Sequence, residues 1–152
     1  MNATSGHNKG FDGNKKTKGL KRHAIVDSLG LVINVATHAA NIHDSVGAKT
    51  VFEKVVQAKY DEPNLQHLFA DSGYRGNLKE WVKKELKMSL TIVKKTDNTK
   101  DWAIQPKRWI VERTFAWLLN LRRLVINYER TEESAISYTY LAMMCLMVKN
   151  IN

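Results

Sequence analysis

Two acidic residues stand where the sequence could support chemistry. Asp71 closes the short apolar run Leu68-Phe69-Ala70 in HLFADSGYRG, and small or turn-forming residues follow it. A carboxylate at the mouth of a buried strand is either a turn-former or helix N-cap, or a group held at a strand end for use. In the second case Gly73 lets other groups approach closely. Glu112 lies in RWIVERTFAWLL. At helical spacing, positions 108, 109, 112, 115, 116 and 119 share one face, and that face is apolar apart from Arg108 and Glu112. A carboxylate buried there unpaired is costly. Glu112 is therefore either tied to Arg108 in a structural ion pair, or it reaches a sheet edge and holds a cation with other carboxylates.

Phosphoryl transfer on DNA uses such clusters. Two hard divalent ions roughly 4 Å apart activate the attacking oxygen and stabilise the leaving one. Mg²⁺ prefers oxygen ligands and keeps several waters, so two or three carboxylates suffice. Asp71 and Glu112 are far apart in sequence, so only the fold can bring them together.

The composition favours an anionic partner. The 152 residues carry a net charge of +9, with 43% hydrophobic and 26% charged residues. An excess of this size points to a polyanion, nucleic acid first and an anionic membrane surface second. No apolar run reaches the roughly 20 residues of a membrane span, and the N-terminus lacks the apolar core of a secretory signal. The single Cys145 excludes an internal disulfide framework and a cysteine-rich zinc site. A cytoplasmic protein is the expectation.

The elements that must position the carboxylates follow from patterning. Residues 1–20 are polar and read as a flexible basic arm. The cluster KKTKGLKR contributes Lys15, Lys16, Lys18, Lys21 and Arg22, either solvated or in contact with phosphate. Residues 24–26 and 31–37 form a β-hairpin around Asp27-Ser28-Leu29-Gly30, with strands apolar enough to lie in a covered sheet. Asp44-Ser45 caps an amphipathic helix that presents Val51, Val55 and Ala58 on one face, with Phe52 and Val56 beside them. LQHLFAD is a strand, NLKEWVKKELK a short helix and SLTIVKK a strand; 95–106 is a loop. Residues 107–124 form one strong helix and 135–148 a last apolar one. The order β-β-α-β-α-β-α-α gives an α/β sheet with helices on its faces, in which sites form where strands end.

Taken together, KKTKGLKRHAIVDSLGLVINVATHAANIHDSVGA, LFADSGYRG and RWIVERTFAWLLNLRRL resemble the catalytic core of bacterial insertion-sequence transposases of the DDE type, in particular the large family named after insertion sequence five. The resemblance runs over nearly the whole chain, in order. It implies an RNase H-like fold, a mixed sheet flanked by helices, in which three acidic residues bind two Mg²⁺ (or Mn²⁺) ions for DNA strand cleavage and transfer. Asp71 matches the second acidic residue, Glu112 the third, and Arg108 the arginine one turn before it. The wider superfamily places a tyrosine three positions before that arginine and a lysine seven after the glutamate. Gln105 and Leu119 stand there in this chain, while Lys107, Arg113, Arg122 and Arg123 offer charge nearby.

In the family the first acidic residue lies on a strand upstream of the segment resembling GFDGNKKTKGLKRH, and this chain starts only a few residues before that segment. The expectation is a sheet lacking its first strand. Asp12, in a Gly-rich context, is a poor substitute, and Asp27 is a turn residue. The resemblance thus divides the chain into a basic arm (1–20) and a partial RNase H-like catalytic domain (21–152). It implies a C-terminal transposase fragment, inactive alone, whose partner is the DNA of transposon ends. Lys15, Lys16, Lys18, Lys21, Arg22, Arg108 and Arg113 are the expected DNA contacts. A missing N-terminal segment or a second copy would complete it, in the cytoplasm at the nucleoid. A non-catalytic DNA-binding remnant and a metal-dependent nuclease of the same fold are the alternatives.

Overall fold

The turn Asp27-Ser28-Leu29-Gly30 sets the largest strand pairing. Asp27 Oδ1 accepts the backbone N–H groups of Leu29 and Leu31 at 2.9 and 2.8 Å, and Gly30 takes a φ of 88° that other residues adopt only with strain. From this turn β2 (Thr17–Val26) and β3 (Val32–Ala39) run antiparallel, pairing Ile25 with Asn34, His23 with Ala36 and Lys21 with His38. On the other edge of β2, β1 (Gly10–Asp12) pairs over three residues, Gly10 with Gly19 and Asp12 with Thr17. The computed structural model describes residues 10–13, 16–61, 65–74, 77–93 and 107–149.

Strand pairing therefore begins inside the segment expected to be an arm. Gly10–Asp12 and Thr17–Leu20 are strand, and Asp12 and Leu20 are buried. Asp12 tolerates burial because Lys21 Nζ lies 3.6 Å away and supplies the opposite charge. The Gly-rich composition that reads as disorder instead permits close packing: a Cβ at Gly10 would overlap Asn41.

The second sheet is a βαβ unit. β4 (His67–Ala70) and β5 (Ser89–Ile92) are parallel, pairing Leu68 with Leu90 and Ala70 with Ile92. α2 (Leu78–Leu86) makes the crossover that parallel strands require. The main core joins this unit to α1 (Asp44–Asp61). Val51, Phe52 and Val55 of α1 pack with Leu68, Leu78, Val82, Leu86, Leu90 and Ala36, all buried. Of the stripe expected from the sequence, Val51, Phe52 and Val55 are buried, whereas Val56 is 37% exposed and the Ala58 side chain lies outside the described residues.

A second core holds the C-terminal helices. The helix expected over 107–124 breaks into α3 (Arg108–Leu119) and α4 (Arg122–Val125), because Leu121 turns extended, with ψ 108°. The break lets Leu118 and Leu124 enter one cluster with Ala142 and Met143 of α5 (Glu132–Lys149). Two uninterrupted turns would place 118 and 124 on different faces. No described helix is long and apolar enough to cross a membrane.

The α/β class and the order of strands and helices are those of an RNase H-like mixed sheet, but the sheet is in two pieces. β1-β2-β3 and β4-β5 share no ladder.

Candidate functional site

A cleft of about 1090 Å³ opens between the two pieces. Its walls are β2 from Arg22 to Val26, β4 from His67 to Ala70, and the inward residues of α3. The volume exceeds the roughly 300–1,000 Å³ of ordinary small-ligand pockets. Asp71 and Glu112 both line it. The fold thus brings the two sequence-predicted carboxylates to one cavity.

Asp71 follows β4 immediately. Its Oδ1 accepts the Gly73 N–H at 2.8 Å and its carbonyl oxygen accepts the Tyr74 N–H at 3.2 Å, closing the 3₁₀ turn Ser72–Tyr74. The turn-forming role is therefore real, and it occupies one carboxylate oxygen. Asp44, at the start of α1, also comes close. A Cβ built on Gly73 would stand 3.1 Å from Asp71 Oδ1 and 3.8 Å from Asp44 Oδ2. Both carboxylates flank the small space above Gly73, which a side chain there would crowd.

The turn is tied to the first sheet through Tyr74. The Tyr74 hydroxyl lies 2.6 Å from His23 Nδ1, and His23 Nε2 lies 2.5 Å from His38 Nε2. Burial, and next the neighbouring His38, push the His23 pKa down to about 4. Burial, then the charges of Asp71 and Asp44, push the Tyr74 pKa up. His23 and Tyr74 are therefore both neutral near pH 7.

Glu112 is held differently. It is exposed, and Arg108 Nε donates to its Oε1 at 2.9 Å. The face of α3 expected to be buried is divided: Arg108, Glu112 and Phe115 line the cleft, while Trp109 and Leu119 are 43% and 49% exposed. Thr114 and Leu118 are buried instead, because α3 docks on the hairpin turn. The Thr114 hydroxyl donates to the Gly30 carbonyl at 2.6 Å. Arg113 donates to the Leu29 carbonyl at 2.7 Å, with its guanidinium over the rings of Trp109 and Trp117 at 4.5 and 4.6 Å. A Cβ at Gly30 would stand 2.9 Å from Thr114 Oγ1, so the glycine serves both the turn and the docking.

The expected DNA contacts divide into two groups. Lys16 and Lys18 are exposed; Lys15 lies outside the described residues. Of the others, Lys21, Arg108 and Arg113 are engaged within the chain and Arg22 is largely buried. Lys21 Nζ lies 3.0 Å from Asp44 and donates to the Ile42 carbonyl at 3.0 Å. Arg22 lines the cleft with a buried Nε that has no hydrogen-bond partner among the described residues, and burial lowers its pKa to about 10. Arg108 is paired with Glu112 and Arg113 braces the hairpin.

Carboxylate oxygens suit a hard divalent ion, but their number falls short. Among the described residues no group of three or more His, Cys, Asp or Glu side chains converges in a metal-binding arrangement. With one oxygen of Asp71 on Gly73 and Glu112 on Arg108, the described residues do not by themselves fit a complete two-metal site.

Sequence reasoning overlooked Asp44, His23, His38 and Tyr74. Asp44 was legible only as a helix cap. The histidine pair was latent in the hairpin register. With Lys21 opposite His38, His23 lies diagonal to His38, within reach across an antiparallel pair.

Comparison with known proteins agrees with this fold. Residues 2–148 match the model of the family described as "Transposase DDE domain". The chain is 26% identical over 135 residues to the protein named as transposase for insertion sequence element IS402 of Burkholderia cepacia, covering 86% of this chain and 62% of that relative. It is 24% identical over 133 residues to the one named for insertion sequence element IS6501 of Brucella ovis, covering 84% of this chain and 95% of that relative. The chain thus spans under two thirds of the first relative and nearly all of the second. No solved structure gives a significant match.

Proposed function

Since the chain belongs to the transposase DDE domain family, we propose that it is part of a DNA transposase, belonging to the group named after insertion sequence five, whose reaction is metal-dependent cleavage and transfer of transposon-end DNA. Asp71 and Glu112 serve as two of its metal ligands, with Mg²⁺ or Mn²⁺ as the ion. The residues described here are an incomplete site, inactive alone. A further strand bearing a carboxylate, from outside these residues, completes it by lying in the cleft between β2 and β4. Exposed Lys16 and Lys18, with Lys15 beside them in sequence, are the proposed phosphate contacts.

One observation supports this reading: the sheet is split, and Asp71 and Glu112 both line the cleft at the split. A strand edge left unpaired is a template for pairing with another segment. Beyond its three-residue pairing with β1, the cleft-side edge of β2 has no ladder partner among the described residues, and the same is true of the β4 edge opposite β5. The buried Nε of Arg22 gives an incoming backbone carbonyl or carboxylate a donor to meet.

A second reading has its own support. Asp71 is satisfied by its turn and Glu112 by Arg108, which suits a DNA-binding remnant without catalysis. Both readings require binding to duplex DNA whose logarithm of affinity falls linearly with the logarithm of salt concentration. Fluorescence anisotropy of labelled duplex over a salt series measures this. Affinity independent of salt contradicts both readings.

A further inference from the structure

The hydrogen bonds around His23 have a direction. His38 Nδ1 lies 2.8 Å from the Ala39 carbonyl oxygen, which can only accept, so Nδ1 of His38 carries the proton. With one proton on the ring, at Nδ1, Nε2 is bare. His23 Nε2, 2.5 Å away, must donate to it. That leaves His23 Nδ1 as an acceptor, and the Tyr74 hydroxyl must donate to that nitrogen. The ring planes lie within 18° of each other with centroids 4.6 Å apart. Nitrogens this close, in nearly parallel rings, mean that the rings meet edge to edge rather than face to face.

The relay is sealed. His23 and His38 are 4% and 8% exposed. Gly47 of α1 lies so close that a Cβ there would overlap His38 Nε2. One carbonyl at the end of β3 therefore fixes the tautomer of two rings and the orientation of a hydroxyl on the turn that carries Asp71.

We propose that Tyr74 is a positioning residue: through His23 and His38 it clamps the Asp71–Tyr74 turn onto the β2–β3 sheet in one orientation, and its hydroxyl oxygen is left able only to accept. A group reaching that oxygen meets lone pairs, beside the carboxylates of Asp71 and Asp44. This corner of the cleft selects cations and hydrogen-bond donors and turns away bare phosphate. The bearing of the clamp on DNA chemistry rests on Asp71 acting as proposed; the relay itself does not.

The test is nitrogen NMR of the histidine side chains in the full chain at pH 7. The expected result is His38 protonated at Nδ1 and His23 at Nε2, opposite tautomers in one pair. In Tyr74→Phe the ring stays and the donor goes. The His23 Nδ1 resonance then moves downfield, and amide exchange at Gly73 accelerates about tenfold, the scale of one hydrogen bond. The Val35 amide, in the buried middle of β3, keeps its rate and reports that the fold is intact. His23 protonated at Nδ1, or an unchanged Gly73 exchange rate in Tyr74→Phe, overturns the proposal. The tautomers do not depend on metal or DNA, so the clamp and the transposase reading fail separately.

Discussion

The β4 wall of the cleft holds its carboxylate by several independent contacts, whereas the α3 wall holds its own by one exposed pair. Asp71 sits in a turn fixed by its own Oδ1, by its backbone carbonyl and by the Tyr74–His23–His38 relay. Glu112 stands exposed on the part of α3 that lines the cleft, with Arg108 one turn away. An exposed pair at this spacing contributes only about 0.3–0.5 kcal/mol. The helix beneath it is firmly docked by Thr114 and Arg113, so the backbone is fixed while the side chain is free to swing. One wall presents a carboxylate placed in advance; the other presents one that can exchange its arginine for another partner at small cost.

The largest expected effect breaks the pre-placed wall. Gly47→Val drives a side chain into His38 Nε2, and overpacking at so tight a contact costs about 3 kcal/mol. Thermal unfolding should show a drop in Tm of many degrees, together with loss of the His23–His38 contact. A Tm within a degree of the parent means that α1 does not seal the relay.

Acid attacks the same wall. His23 has a folded pKa of about 4 against an ordinary 6.5. The unfolded chain therefore binds more protons between these values, and stability rises with pH across that window. The contribution is fully present above about pH 6.5 and is lost as pH falls toward 4, up to about 3 kcal/mol in all. Urea unfolding at pH 7, 5.5 and 4 measures it. His23→Gln should flatten the profile between pH 6.5 and 4, and an unchanged profile assigns the loss to other groups.

The smallest effect is expected on the α3 wall. Glu112→Gln removes the ion pair with Arg108 and should change stability by less than about 0.5 kcal/mol. If chemical denaturation shows a loss of more than about 1 kcal/mol, Glu112 is a structural residue and the contrast between the walls disappears.

The sequence revealed what local periodicity controls. The hairpin, the apolar stripe of α1 and the βαβ unit follow from apolar spacing and turn residues within short windows. The exposed face of α3 did not follow, because a polar threonine is its docking point. Thr114 is buried through a hydrogen bond to a carbonyl 84 positions away in sequence, and no window across α3 contains that partner. Leu119, read as core, is exposed for the same reason. The break at Leu121 depends on α5, which supplies the cluster that Leu124 enters. The Gly-rich segment before Leu20 reads as an arm because its partners, Asn41 and Lys21, lie beyond any local pattern. The candidate site was half legible for a similar reason. Asp71 and Glu112 stand out by type and context, whereas Asp44, His23 and His38 acquire meaning only when the strands are paired.

The central claim is that these residues form an incomplete DDE site opening on a split sheet. It is tested most directly by incubating the 152-residue chain with supercoiled plasmid in Mg²⁺ or Mn²⁺, beside the Asp71→Asn/Glu112→Gln double variant. Equal, background levels of nicking are expected from both proteins, with salt-sensitive DNA binding retained by both. Robust metal-dependent nicking by the chain alone, abolished in the double variant, would contradict it by showing that the site is already complete.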